Sequence, residues 1–338
     1  MQFRHVGKAG LQVSEIGLGS WQTYGHAVET AQAEACINRA YELGINFFDT
    51  ADAYAGGEAE KVVGKALAKF PRESYVLSTK IFFPMGPGPN NRGLSRKHLF
   101  EGCHAALKRL GTDYIDLYQC HRYDPGTPLE ETLRTLNDLA QQGKILYYGI
   151  SEWTGDQIAQ AADIVRAHNF QPLTVNQPQY SLLARGIERE VIPVCEREGI
   201  GQVVFSPLAQ GVLTGKYKPG QPLPADSRAA DPRQNQFFKT GVLDAYVHDQ
   251  VAADDHLLER VQRLEPIAQE AGLSMSQLAL AWCLRQTNVA SVIIGASRPE
   301  QIGQNVAASG KTLPAEMLTR IDEALGFATA AATAPSVA

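Results

Sequence analysis

An α/β fold closed into a (β/α)8 barrel of the TIM type is predicted by two positive observations and one negative one. Apolar, β-rich runs alternate with helical stretches along the chain, and the runs are continuously apolar, as parallel strands covered by helices should be. There are eight such runs, the number that closes a barrel. The rival doubly wound fold lacks its glycine fingerprint, because Gly17 and Gly19 are followed by Ser20, Trp21 and Gln22 where a third glycine belongs.

Each element follows from its residues. FRHVGKAGLQVS (Phe3–Ser14) reads as an N-terminal β-hairpin with Gly7 and Gly10 near its turn. The barrel strands are then EIGLGSW, NFFDTA, SYVLSTKIF, YIDLYQCH, ILYYGIS, LTVNQPQY, GQVVFSP and SVIIGA. Helical patterns separate them at Thr30–Leu43, Glu58–Leu67, Ser95–Leu110, Leu129–Gln142, Thr154–His168 and Ile187–Arg197. Ser95 and Thr154 stand where N-caps belong, and Gly44, Gly111, Gly143 and Gly199 where helices stop. After the seventh strand, Ala209 to about Gln250 is a Pro-, Gly- and charge-rich loop, long enough to be functional or disordered. Asp254–Ala271 and Ser274–Arg285 are extra helices before the last strand. Residues 1–326 are expected to form a single domain, and the low-complexity tail 327–338 to be disordered.

Composition narrows the function. The chain has 338 residues, 44% hydrophobic and 20% charged, with a net charge of −5. That balance offers no basic footprint for nucleic acid. No apolar run reaches membrane-spanning length, and the chain opens without an apolar leader. The five cysteines are scattered, form no C-x-x-C, and sit in apolar contexts, which suits buried free thiols in a reducing cytoplasm.

In a barrel, chemistry gathers at the C-terminal ends of the strands. Those ends are Asp49, Lys80, His121, Ser151, Gln177 and Phe205, with Tyr54 in the loop after the second strand. Each has a structural reading when taken alone. Asp49 suits a helix cap or ion pair, Tyr54 a packed aromatic, Lys80 a snorkelling side chain, and His121 an ordinary surface imidazole. Four such coincidences at corresponding positions argue for a common purpose. A free phenol with a pKa near ~10 is a poor acid at neutral pH. An adjacent ammonium favours the phenolate and eases proton donation. Asp49 would hold Lys80 charged, and a neutral His121 would orient a carbonyl oxygen toward Tyr54. Zinc-site spacings and the G-x-S-x-G nucleophile elbow are absent, and no acidic pair stands at these strand ends.

In order and spacing, GLGSW, FDTADAY, STK, DLYQCH, YGIS, NQPQYSLL, SPLAQGVLTGKY and IIGASRPEQIGQN resemble the aldo-keto reductases from about Phe3 to Leu325. GLSRKH (Gly93–His98), AWCLR (Ala281–Arg285) and GASRPEQ (Gly295–Gln301) are most similar to the branch that contains the voltage-gated potassium channel β-subunits and their bacterial reductase relatives. The resemblance implies a catalytic tetrad of Asp49, Tyr54, Lys80 and His121, and a nicotinamide dinucleotide, NADPH, as cofactor. By the same resemblance Ser151 and Gln177 hold its carboxamide, Phe205 stacks on the nicotinamide, and Ser20 and Trp21 border it. Ser206, Leu208 and Lys216 meet the pyrophosphate. Ser297, Gln301 and Asn305 meet the adenosine ribose and its phosphate, with Gly295 as a further cofactor contact and with Arg228 and, more weakly, Arg298 as cations. Gln304 stands where close relatives often carry glutamate. The implied reaction is reduction of an aldehyde or ketone, a small carbonyl substrate, to an alcohol. The alternative is a regulatory, β-subunit-like protein with weak reductase activity. Those subunits typically carry asparagine where this chain has His121, and no long inactivating segment precedes the expected barrel. The branch includes several assemblies, so a homo-oligomer is among the expectations. Trp21, Tyr24, Phe82 and Phe83 suggest an aromatic-lined mouth.

Overall fold

In a computed structural model the described residues are 1–327 except 22, 26–28, 226 and 232–255. The later part of the long loop, and the predicted disordered tail from residue 328 on, lie outside them.

Ten strands are present among the described residues. β1 (Phe3–His5) and β2 (Gln12–Ser14) pair antiparallel as the predicted hairpin. The other eight close into a barrel: β3 (Ile16–Gly19), β4 (Phe47–Asp49), β5 (Val76–Ile81), β6 (Ile115–Cys120), β7 (Ile145–Ile150), β8 (Val175–Asn176), β9 (Gly201–Val204) and β10 (Val289–Ile294). Every neighbouring pair is parallel, and β10 joins β3 to β9. The helices, in chain order, are α1 (Thr30–Glu42), α2 (Glu58–Leu67), α3 (Arg96–Leu110), α4 (Leu129–Gln141), α5 (Gly155–Ala167), α6 (Val191–Glu198), α7 (Leu257–Gln262), α8 (Leu264–Glu270), α9 (Met275–Leu284), α10 (Pro299–Val306) and α11 (Ala315–Leu325). The predicted caps are in place. Ser95 accepts the His98 N–H at the start of α3, and Thr154 forms a reciprocal capping box with Gln157.

Two helix predictions need correction, and proline explains both. The expected helix Ile187–Arg197 starts only at Val191, after a single 3-10 turn at Gly186–Glu188. Pro193 thereby falls in the first turn of α6, where a missing N–H costs nothing and no carbonyl of a preceding turn meets its ring. The expected helix Asp254–Ala271 is divided at Arg263 into α7 and α8, with its first two residues outside the described set. Pro266 is the third residue of α8 and cannot donate to the Gln262 carbonyl, so the ladder breaks there.

The chain packs as two compact units. The first comprises Met1–Gln179, Ile187–Phe205 and Thr287–Ser309, and holds the hairpin, the barrel, α1–α6 and α10. Its lower core is a plug of Val6 and Val13 from the hairpin against Phe47, Val76, Leu117, Val175, Val203, Ala290 and Ile293 of the strands. The hairpin is fixed there by the Lys8 N–H donating to the Gly199 carbonyl at 2.9 Å. Gly7, with φ of 58°, approaches so closely that a Cβ would lie 2.2 Å from that same oxygen. With the floor sealed by apolar packing, the polar side chains of the barrel are left at its other end. The second unit comprises Tyr180–Gly186, Ser206–Gln286 and Gly310–Ala338, and its described helices are α7, α8, α9 and α11. Among the described residues no helix is long and apolar enough to cross a membrane.

Candidate active site

Asp49 is the last residue of β4, Lys80 the penultimate residue of β5, and His121 follows β6 directly. Tyr54 opens a 3-10 turn, Tyr54–Gly57, in which Ala55 and Gly56 are left-handed (φ of 52° and 62°). The turn folds the phenol back over the strand ends. Lys80 is 1% exposed and spends its three N–H donors on Asp49 Oδ2 at 2.6 Å, the Thr50 carbonyl at 2.8 Å and Tyr54 Oη at 3.3 Å. It therefore does not snorkel. Asp49 Oδ1 accepts from Ser78 Oγ at 3.1 Å and Gln177 Nε2 at 3.0 Å. Ser78 in turn accepts from Gln119 Nε2 at 2.7 Å. A buried charge needs such a set of partners to remain charged.

The electrostatics are those of a coupled buried group. Burial disfavours the Lys80 ammonium, but the Asp49 carboxylate, together with the Tyr54 oxygen beside it, outweighs this and holds the pKa above the ordinary lysine value. Burial, followed by the neighbouring charges of Lys80 and Arg122, pushes His121 well below the usual histidine range, so its imidazole is neutral. His121 Nδ1 is buried without a hydrogen-bond partner, which leaves Nε2 as the nitrogen that can meet a carbonyl oxygen. For Tyr54 the expected net direction needs correction. Lys80 does pull the phenol's pKa down, but burial pushes it up more strongly and Asp49 adds to the rise. In the protein alone Tyr54 is thus a protonated phenol, restrained by Lys80 from being weaker still.

Aromatic rings surround this group. The His121 imidazole meets Tyr54 edge-on at 5.6 Å and Phe83 at 4.9 Å, and Phe82 stands against Phe83 at 5.3 Å. Trp21 and Phe205 form another edge contact at 6.4 Å. Tyr24 is not part of the mouth. It is 2% exposed and its hydroxyl lies beside the Cys36 thiol of α1.

The residues expected to hold a cofactor fall in both units. In the first, Ser151 Oγ donates to the Gln177 carbonyl at 2.7 Å, while the Gln177 side chain is held through Nε2 on Asp49. Ser20 is buried, its N–H on the Asp49 carbonyl and its hydroxyl on Thr50 Oγ1. Gly295 follows β10. Gln301 folds back over the start of α10, where its Oε1 accepts the Ser297 N–H at 2.9 Å and the Arg298 N–H at 3.3 Å. Asn305 is buried one turn further along. In the second unit, Ser206, Ala209 and Gln210 are all left-handed around Leu208, an unusual density for residues other than glycine. Lys216 Nζ lies 5.1 Å from the Tyr217 ring centroid, and Tyr217 Oη accepts the N–H of Ala229, next to Arg228. Both cations thus gather at one tyrosine.

Sequence reasoning missed the supports of the tetrad. Ser78 lies two residues before Lys80 and Gln119 two before His121, so both share the inward face of their strands, a signal that period-2 reading could have found. It also missed Arg122, and a polar cluster between α2, α3 and β5. There buried Glu60 pairs with Arg109 and accepts from Thr79 Oγ1 at 2.6 Å. Asp52, 2% exposed with both oxygens short of full hydrogen bonds, is raised by burial and by Glu60 to a pKa of about 7.

Comparison with known proteins agrees with this geometry. The aldo/keto reductase family profile matches residues 15–325. A protein of Arabidopsis thaliana named as a probable voltage-gated potassium channel subunit beta is 42% identical over 311 residues, 91% of each chain. One of the same name from Oryza sativa subsp. japonica is 41% identical over 311 residues, also 91% of each. A putative voltage-gated potassium channel subunit beta of Schizosaccharomyces pombe is 41% identical over 332 residues, 96% of this chain and 93% of the relative. With a barrel closed in this order, these four side chains at its strand ends and that match across its length, the chain belongs to the aldo/keto reductase family.

Proposed function

We propose that this protein is an NADPH-dependent reductase that converts aldehydes, and ketones as a second class, to alcohols, with Tyr54 as the proton donor. The observation that carries the reading is the buried Lys80 ammonium held between Asp49 Oδ2 and Tyr54 Oη. A fully buried lysine kept charged by one carboxylate and aimed at a phenol is expensive as structure and useful as acid catalysis. The donor set also fits the cofactor. Gln177 Oε1 and the remaining lone pairs of Ser151 Oγ are acceptors suited to a carboxamide NH2, and Phe205 offers a ring for a flat heterocycle. Lys216 and Arg228 supply cations for phosphate. When bound, the nicotinamide supplies the hydride to the carbonyl carbon.

The chain's own residues do the rest. His121 Nε2–H orients the carbonyl oxygen beside Tyr54, and the edge-on rings of Phe83 and Tyr54 fix the imidazole plane. As charge develops on that oxygen, the Tyr54 proton moves to it and Lys80 stabilises the phenolate left behind. Asp49, gripped by Ser78 and Gln177, keeps Lys80 charged throughout. Five buried free thiols suit a reducing cytoplasm as the place of reaction.

The names of the relatives favour a second reading, a cofactor-binding regulatory subunit with weak turnover. A neutral His121 packed on Tyr54 supports the first. A panel of aldehydes and ketones, read by NADPH oxidation, separates them. Turnover of several aldehydes at ordinary enzyme rates supports the reductase, whereas tight NADPH binding with no turnover on any member supports the subunit.

A further inference from the structure

The charges at the tetrad do not cancel. Lys80 is balanced by Asp49, and His121 is neutral. That leaves Arg122, the residue after His121. Its Nη1 donates to the His121 carbonyl at 2.6 Å, and its guanidinium carbon lies 5.7 Å from the centroid of the Phe83 ring whose edge meets the His121 imidazole. Its charge reaches the chemistry, because it lowers the pKa of both Tyr54 and His121. Among the described residues no carboxylate pairs with it. The nearest acid in sequence, Asp124, is committed to the Leu94 N–H at 2.7 Å, the Gly126 N–H at 2.9 Å and the Thr127 hydroxyl at 2.7 Å. A guanidinium has five N–H donors in a planar fork that matches a carboxylate, and one bond to a carbonyl leaves that fork open. A half-buried cation on the aromatic wall of a reducing site, without an acid of its own, is arranged to receive one from the substrate.

We propose that Arg122 makes this site selective for carbonyl substrates that carry their own carboxylate, separated from the reacting carbonyl by an apolar or aromatic spacer. The inference rests on the reductase reading and names its substrate class. Phe82, Phe83 and Tyr54 pack the spacer, while Arg122 takes the carboxylate at the wall and His121 the carbonyl oxygen. The carboxylate is a handle and does not react. Hydride adds to the carbonyl carbon, the Tyr54 proton to its oxygen, and the reduced nicotinamide cofactor is oxidised by two electrons.

The test compares para-carboxybenzaldehyde with its methyl ester, two aldehydes of nearly the same shape and different charge, using the full chain and NADPH. In the wild type kcat/KM for the acid should exceed that for the ester, and added salt should narrow the gap. Arg122→Met should lower the acid-to-ester ratio by about 10- to 100-fold, mainly through KM of the acid, since a charge-assisted contact is worth that much. Arg122→Lys should keep part of the ratio, because it retains the charge and loses the fork. A wild type that prefers the ester overturns the proposal without any variant, and so does a ratio that Arg122→Met leaves unmoved. If the wild type reduces neither aldehyde, the reductase reading falls and takes this proposal with it. If it reduces the ester well but shows no response to charge, only this proposal falls.

Discussion

Replacing Lys80 with methionine keeps the length of the side chain and removes the one charge that links Asp49 to Tyr54. At 3.3 Å and an effective dielectric near 20, the attraction between the ammonium and a Tyr54 phenolate is about 5 kcal/mol. Tyr54 is only half-buried, so water screens part of this, and about half is a fair figure. A loss of about 2.5 kcal/mol weakens the phenol as an acid by nearly a hundredfold. Burial already holds its pKa above the ordinary value, and Arg122, the remaining cation that lowers it, acts more weakly than Lys80. Lys80→Met should therefore lower kcat for aldehyde reduction by about 100-fold. The pH profile carries the sign. Tyr54 stays protonated through neutral pH, so wild-type kcat is flat there and falls only as pH rises past the phenol's raised pKa. In Lys80→Met the plateau should drop and that fall should move to higher pH. Stability responds separately, because Asp49 is left as an uncompensated buried charge at a cost of about 3–5 kcal/mol. Adding Asp49→Asn should recover much of that stability and none of the rate. A folded Lys80→Met enzyme with kcat within about threefold of wild type would refute the proposed role of the ammonium.

Further measurements probe the surroundings. Ser78→Ala removes one donor to Asp49 and orphans Gln119 Nε2, so thermal unfolding should report a loss of about 1–3 kcal/mol; an unchanged Tm contradicts the network. Asp52 holds its proton to about pH 7 when folded but only to its ordinary 3.8 when unfolded, so wild-type stability declines as pH rises between those values. Asp52→Asn should consequently stabilise the protein more above pH 7 than near pH 4, with a ceiling of about 4 kcal/mol, and an equal effect at both would count against the buried carboxylate. The Kd for NADPH should be about 10- to 100-fold below that for NADH, and Arg228→Ala should erode the difference. Equal affinities in the wild type would remove the preference, and an intact preference in Arg228→Ala would assign it to Ser297 and Gln301 instead.

Chain order and strand periodicity carry most of the architecture. Continuous apolar runs revealed the barrel because parallel strands are buried on both faces, and Asp49, Lys80 and His121 stood out because polar residues at the ends of such runs have little structural reason to be there. What sequence left hidden depends on direction and depth. Tyr24 reads like a mouth residue from its place after GLGSW, yet the turn drives its hydroxyl against Cys36. Pro193 and Pro266 were visible, but each is tolerated in a first turn, so only the fold shows where that turn begins. The net effect on Tyr54 is a contest between burial and charge, and sequence discloses the charges without the burial. Arg122 escaped notice because its meaning lies in the missing partner, which no motif encodes.

The most direct test of the central claim is single-turnover reduction of an aldehyde by wild type and Tyr54→Phe, each loaded with NADPH, with cofactor affinity measured alongside. The phenylalanine keeps the ring that packs on His121 and removes only the hydroxyl that Lys80 holds. The chemical step should slow by about 100-fold or more while the Kd for NADPH changes little. Reduction by Tyr54→Phe at close to the wild-type rate would contradict the assignment of Tyr54 as proton donor, and with it the roles of Lys80 and Asp49 in supporting that donor.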